Sequence, residues 1–341
     1  MNTSNHSFSG QTALVTGGGG FVGRAIVERL VARGMHVRTL SRRAYPELTE
    51  LGVQAVQGDI RDRRTVVDAC HNCDVVFHVA AKAGAWGSFV DFYEPNVIGT
   101  ENVIAGCRKQ RVPRLVFTSS PSVTFGGADQ TGVDESAEYP KRYASHYSAT
   151  KAIAEQLVLR ANDRNLRTVA LRPHLVWGPN DNHIVPRVVS QGKSGKLRII
   201  GDGSQQVDVT YVDNAADAHL CAAAALLTND AVGGKAYFIS QGEPVNLWEI
   251  VNGILKAAGL DNVTKKVPTG VARFGAAVME MAHKLLRRKG EPRLTRFVVE
   301  QMSTSHYFNI DAARNDLGYA PKVSTEEGLV KLREWFENGA P

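Results

Sequence analysis

Tyr147 and Lys151 stand four residues apart in "HYSATKAIAEQ". On a helix that spacing puts both side chains on one face. An ammonium beside a phenol lowers the phenol's pKa. A tyrosine tuned in this way gives or takes a proton at a carbonyl or alcohol oxygen. The pair follows "FTSSPSV" at a short interval, so hydroxyls can stand close to it.

A second constellation lies near the start. Gly17, Gly20 and Gly23 sit in "TGGGGFVG", after an apolar run and before an amphipathic one. A strand, a glycine turn and a helix in that order form a dinucleotide-binding turn. Gly17 permits the tight turn. Gly20 lets the backbone approach a pyrophosphate at the helix N-terminus, where Phe21 and Val22 begin the helix. The next strand, "HVRTL", leads into Ser41, Arg42 and Arg43. An acid at this place binds a ribose 2′-hydroxyl. A neutral serine and two arginines suit a 2′-phosphate instead, because guanidinium matches phosphate oxygens. The expected cofactor is therefore NADP(H). Asp59 is a candidate partner for the adenine amino group, with Ile60 packing nearby.

The elements that must position these residues follow from periodicity. Strands are expected at 12–17, 36–40, 53–59, 74–81, 114–120 and 166–173, several of them near-continuous apolar runs of the doubly buried kind. A helix is expected over 21–34, with apolar residues at Val22, Ile26, Leu30 and Val31 and Gly34 placed to end it. The alternation predicts an α/β fold, a Rossmann-type doubly wound parallel sheet. Residues 10–181 are read as the NADP-binding domain. Residues 182–341 are read as a smaller substrate-binding part, with segments returning to the first domain. It should hold helices from about Asp213, over 246–258 and over 325–337. Residues 1–9 are read as a loose tail.

Composition narrows the classes. The chain has 341 residues, 43% hydrophobic and 22% charged, which suits a soluble globular protein with a sizeable core. No apolar run is long enough to span a bilayer. The polar start "MNTSNHSFSG" is no secretory signal, so the expected location is the cytoplasm. A net charge of +6 favours anionic ligands, but no nucleic-acid motif accompanies it. Cys70 and Cys73 have CxxC spacing without a second pair, so no metal site is expected and they are read as structural thiols.

Taken together, "TGGGGFVG", "HVAA" (78–81), "NVIGTENVI" (96–104), "FTSS" (117–120), Tyr147/Lys151 and "LRPHLVWGP" (171–179) resemble the extended short-chain dehydrogenase/reductases. The resemblance covers nearly the whole chain and is strongest to the 3β-hydroxysteroid dehydrogenase branch. "AAKAGAWGS" and "PNDNH" bring it close to the 2-alkyl-3-ketoalkanoic acid reductases of bacterial olefin biosynthesis. It implies that Tyr147 is the acid/base and that Lys151 tunes it and holds the nicotinamide ribose. Ser120, rather than Ser119, would hydrogen-bond the substrate oxygen. Asn96 would brace the region behind the site. Ala80, Ala81 and Lys82 would border the cofactor, and Pro173, His174 and Val176 would line the nicotinamide pocket. His174 could equally be a packed histidine. Lys82 could instead pair with a substrate carboxylate. A homodimer is suggested by analogy.

The expected activity is NADPH-dependent reduction of a lipid-like ketone, a 2-alkyl-3-oxoalkanoate. A hydroxysteroid or sterol dehydrogenase is the nearest alternative. A nucleotide-sugar epimerase or dehydratase fits the arginines poorly, and a non-catalytic NADP sensor would not need Ser120, Tyr147 and Lys151 together. In "VARFGAAVMEMAHKLLRRKG", apolar residues at 271, 274, 278, 281 and 285 make one helical stripe. It is read as a wall over the substrate pocket, or else as a surface that meets a membrane or a pathway enzyme.

Overall fold

The computed structural model describes residues 8–286, 288 and 290–339. Seven parallel strands form the central sheet. From one edge they run Lys235–Ile239, Arg167–Pro173, Arg114–Thr118, Val75–His78, Thr12–Thr16, His36–Ser41 and Gln54–Gln57. Alternate side chains enter separate cores: Ala13 and Val15 join one, Leu14 the other. All four residues of Val75–His78 are buried, as expected for a strand covered on both faces. Helices Phe21–Ala32 and Val212–Thr228 pack together over the first core, and Arg63–Ala69 and Gly99–Gln110 over the second. This is a doubly wound Rossmann-type α/β fold.

The strand order reverses between Thr12–Thr16 and Val75–His78. Such a reversal opens a crevice at the carboxyl ends of the strands. Both ends turn away early there. The fourth strand stops at His78 and the fifth at Thr118, so Ala80, Ala81, Ser119 and Ser120 lie in loops over the crevice.

The later part of the chain interlocks with the earlier one. Lys235–Ile239 completes the main sheet, Lys235 pairing with Val169. Conversely, Gln130–Val133 leaves it for a four-stranded mixed sheet with His306–Phe308, Gln206–Val207 and Val245–Asn246. The expected helices form as Val212–Thr228, Leu247–Ala257 and Thr325–Glu337.

Two readings change. The tail reading fails at Phe8, which is buried in the first core; residues 1–7 lie outside the described residues. The stripe on Thr269–Leu285 does not wall a pocket. Val271, Phe274, Val278, Met281 and Leu285 are all exposed, while Ala272 and Ala276 are buried. The helix turns its small residues inward, because only they let it pack closely on Arg296–Ser303. Arg287 and Lys289 of this segment lie outside the described residues.

Cys70, Cys73 and Cys107 are buried free thiols in the second core. Burial pushes Cys73 up to about 11, which leaves it unreactive.

Candidate active site

The helix His146–Arg160 carries the central residues. Ser145 caps it, its hydroxyl accepting from Ser148 N at 3.1 Å, so Tyr147 and Lys151 sit in its first two turns. Ser120 faces Tyr147 from the loop after Arg114–Thr118. Burial raises the Tyr147 phenol above its ordinary pKa, and the Ser120 hydroxyl opposes that rise. Ser120 Oγ accepts from Ser122 N at 3.2 Å and lies 3.0 Å from Ser122 Oγ. Ser119 Oγ is buried with no partner among the described residues.

Lys151 is 2% exposed. Its ammonium donates to Thr118 O at 2.6 Å and lies 4.0 Å from the centre of the Phe117 ring. Burial lowers its pKa to about 7, opposed by the charge of Glu155 one turn on. The expected lowering of Tyr147 by Lys151 is therefore not what the geometry gives. The ammonium is turned toward Thr118, and its own desolvation removes part of its charge at neutral pH.

Behind the helix runs a buried hydrogen-bonded chain, of which the resemblance points only to Asn96. The Thr100 hydroxyl donates to Asn96 O at 2.6 Å, so it accepts from His78 Nε2 at 3.0 Å. His78 Nδ1 then accepts from the Thr16 hydroxyl at 2.7 Å, and Thr16 Oγ1 accepts from Ala80 N at 3.3 Å. Burial holds His78 neutral, down at about 3, with the Lys151 charge a second cause. Asn96 extends the chain. Its side chain accepts from Lys82 N at 2.7 Å and donates to Lys82 O at 3.1 Å and Thr150 Oγ1 at 3.1 Å. It stands on a π-helical turn, Glu94–Ile98, a distortion common at functional sites. The glycine-turn strand, the Lys82 loop and the Tyr147 helix are thus tied together. The sequence signals were the polar His78 inside an apolar run and, for Asn96, the resemblance carried by "NVIGTENVI".

A second unread feature is Glu155, wholly buried on the same helix. It receives Arg172 Nη2 at 2.6 Å and the Tyr139 hydroxyl at 2.6 Å. Arg172 also lies 5.0 Å from the Phe238 ring centre. This pair pins the helix to the strand Arg167–Pro173.

The other expected site residues fall as follows. Gly17 has φ +71°, and a Cβ there would come within 2.9 Å of the Ala80 backbone. Ile60 is buried and touches Gly99. Asp59 is held by Arg61, Nη2 at 2.8 Å, which lowers its pKa; Arg42 contributes at longer range. Arg42 and Arg43 are exposed. Pro173 ends its strand, and Val176 pairs with Thr210 in a short parallel strand. His174 is a packed histidine. His306 Nε2 donates to Gln301 O at 2.8 Å, so His306 Nδ1 accepts from His174 Nε2 at 2.7 Å. Burial, then His306, holds His174 well below the ordinary range. Lys82 Nζ lies 5.0 Å from the Phe92 ring centre, and that ring meets Tyr147 edge-on at 6.5 Å. Beside them opens a cleft of about 1100 Å³, lined among others by Lys82, Trp86, Phe89, His146, Lys284 and Phe297.

A glycine turn at a sheet reversal, with serine, tyrosine and lysine converging beside it, is what short-chain dehydrogenases use. The sequence pattern of one such family, described as 3-beta hydroxysteroid dehydrogenase/isomerase, matches residues 14–269.

The chain belongs to the 3-beta hydroxysteroid dehydrogenase/isomerase family.

It is 49% identical to the 2-alkyl-3-oxoalkanoate reductase of Shewanella oneidensis, over 94% of this chain and 85% of that protein. It is 50% identical to the 2-alkyl-3-oxoalkanoate reductase of Stenotrophomonas maltophilia, over 94% and 98%. Among solved structures, MoeE5 in complex with UDP-glucose and NAD superposes with a TM-score of 0.74 at 26% identity, over 97% of this chain and 100% of that one. As a 3-beta hydroxysteroid dehydrogenase/isomerase family member, the protein is an oxidoreductase acting on CH–OH and C=O groups.

The residues of this family member fit a nicotinamide dinucleotide. A Cβ on Gly20 would meet only Gly17 O, at 3.2 Å, so the space above the turn is open to a pyrophosphate. Ser41 Oγ, at the end of the second strand, is buried with no partner among the described residues. It is a donor awaiting an acceptor.

Proposed function

We propose that the protein is an NADPH-dependent reductase that converts a 2-alkyl-3-oxoalkanoate to the 2-alkyl-3-hydroxyalkanoate. The observation that carries the reaction type is the Ser120 hydroxyl set against Tyr147, with Lys151 one turn behind. The substrate class is supported by the two reductases of about half identity. Residues 10–181 would bind the cofactor and, through Lys82, Trp86, Phe89 and His146, line one side of the substrate cleft; residues 182–341 would supply the other side, with Lys284 and Phe297.

Gly17, Gly20, Phe21 and Val22 would hold the pyrophosphate, and Asp59 and Ile60 the adenine. Ser41, Arg42 and Arg43 would hold a 2′-phosphate; Ser41 has an unmet donor and the arginines are open to solvent. Ala80, Ala81, Lys82, Pro173 and Val176 would border the nicotinamide, with His174 fixing the backbone behind it. When bound, the reduced nicotinamide supplies hydride to the ketone carbon. Tyr147 gives its phenolic proton to the carbonyl oxygen, and the Ser120 hydroxyl donates to the same oxygen as charge develops there. Lys151, its ammonium turned to Thr118 O, would hold the nicotinamide ribose hydroxyls, and solvent would return the proton to Tyr147. Buried neutral His78 and Asn96 keep the helix and the Lys82 loop in register, so the reacting groups meet without reorganisation.

Lys82 stands at the cleft with its side chain 41% exposed and its ammonium 3.9 Å from Asp91 Oδ2, a loose pairing that a substrate carboxylate would replace, and close to Tyr147 through Phe92. It is the cation for a substrate carboxylate. Trp86, Phe89 and Phe297 give the same cleft an apolar lining, where each buried CH₂ contributes about 0.8 kcal/mol.

The test is NADPH oxidation with 2-alkyl-3-keto acids of increasing chain length, their esters, and a 3-ketosteroid. Efficiency is expected to rise with chain length and to fall on esterification. Preference for the steroid, or indifference to chain length, would remove the keto-acid assignment and leave the ketone reductase.

A further inference from the structure

The helix Thr269–Leu285 keeps a continuous apolar face in water. Val271, Phe274, Val278, Met281 and Leu285 follow one another at spacings of three and four, and Leu286 extends them. Phe274 is 72% exposed and Leu285 76%. A helix of this length presents such a face over about 25 Å. Nothing within the described chain covers it, because the helix docks on Arg296–Ser303 through its opposite side. Contiguous exposed apolar surface of this kind marks a contact site.

Charge decides what the contact is. Lys284 and Arg288 stand exposed at the C-terminal end of the stripe. Arg287 and Lys289, outside the described residues, add two cations to the sequence there. The carboxylates nearby are already engaged: Glu280 with Arg296, Glu300 with Arg273 and Glu291 with Arg187. Lys284 instead faces the Trp86 ring at 5.8 Å. An apolar face ended by cations that have no ion pair among the described residues complements an anionic lipid surface, with the apolar side chains entering the acyl boundary and the cations at headgroup level. A second copy packed on this face with the helices parallel would bring the same cations against each other. No helix among the described residues is long and apolar enough to cross a membrane, so this one would lie on the surface.

The helix also borders the substrate cleft. Glu280 and Lys284 line it, as do Trp86 and Phe89 across the opening, and Trp86 meets His283 edge-on at 5.6 Å. Docking by the stripe would bring the cleft mouth close to the bilayer, where an apolar substrate is concentrated.

We propose that the outer face of Thr269–Leu285, with Lys284 and Arg288, docks the protein on an anionic lipid bilayer beside the mouth of its cleft. This stands apart from the keto-acid reading, since it is tested by binding alone. The full chain is co-sedimented with phosphatidylcholine vesicles and with vesicles also containing phosphatidylglycerol. Binding to the anionic vesicles is expected to be at least about tenfold tighter and to weaken with salt. A Phe274→Ser/Leu285→Ser variant should lose it while keeping the wild-type circular dichroism and melting temperature. Lys284→Glu/Arg288→Glu, which leaves the apolar face intact, should weaken it by about tenfold or more. Wild-type protein that ignores anionic vesicles overturns the proposal, as does undiminished binding by the serine variant or the glutamate variant. A wild-type dimer that the serine variant converts to monomer, with no vesicle binding by either, would make the face a self-interface and overturn it equally.

Discussion

Lys151 Nζ donates to Thr118 O at 2.6 Å, inside a site that leaves the ammonium almost no water. The carbonyl holds the side chain, but one neutral acceptor cannot replace hydration. Burial therefore brings the pKa from 10.5 down to about 7. The free protein is poised to lose the cation within the physiological range.

The pH dependence follows with a definite sign. Because the folded pKa lies below the unfolded one, protonation of Lys151 favours unfolding. Its penalty is fullest below about pH 7, shrinks as pH rises toward 10.5, and is absent above. Lys151→Met should remove this slope from urea-unfolding free energies measured between pH 6 and pH 10, values chosen on the order of the two pKa limits. An unchanged slope would place the titrating group elsewhere. Under the same reading, kcat/KM for ketone reduction falls as pH rises through about 7, where the free enzyme loses the cation.

Tyr147→Phe keeps the ring against Phe92 and removes the proton donor. Turnover is expected to fall by a factor on the order of 10² or more, while NADPH affinity by fluorescence titration stays near wild type. A variant with most of its activity would mean that another group is the acid.

Arg42→Asp is a test of the cofactor. It should weaken NADPH relative to NADH by about 1.5–3 kcal/mol, the worth of a charge-assisted contact. Equal losses for both cofactors, by calorimetry, would disconnect Arg42 from the 2′-phosphate.

Glu155→Gln leaves Arg172 as an uncompensated charge in the core, beside the Phe238 ring. The expected loss is about 3–5 kcal/mol in denaturant unfolding. A loss under about 1 kcal/mol would show that Tyr139 and the rings alone accommodate the guanidinium.

Asn96→Ala cuts the Lys82 loop from the Tyr147 helix. Each lost buried hydrogen bond costs about 1 kcal/mol, and more where Lys82 N is left unpaired. Because Asn96 acts through those elements, kcat should fall more than KM rises, and Asn96→Asp, which keeps the acceptor for Lys82 N, should recover part of it. Equal behaviour of the two variants would reduce Asn96 to a packing residue.

The sequence by itself determined the parts whose cause is local. Gly17 and Gly20 are legible because a turn with φ +71° at Gly17 needs glycine. Tyr147 and Lys151 are legible because four residues make one helical turn, and Thr12–Thr16 and Arg114–Thr118 because doubly buried strands are apolar throughout. What only the tertiary structure decided depends on residues far apart in the chain. Periodicity shows that Thr269–Leu285 has an apolar face but not which face is buried; close packing on Arg296–Ser303 selected Ala272 and Ala276 and left Phe274 in solvent. The partners of His78 and Glu155 are up to 62 positions away, so nothing in their neighbours announced them, and Asn96 was expected as a brace only through the resemblance. The pKa of Lys151 went the same way. Spacing set it beside Tyr147, but its desolvation came from the strand and loop that close over it.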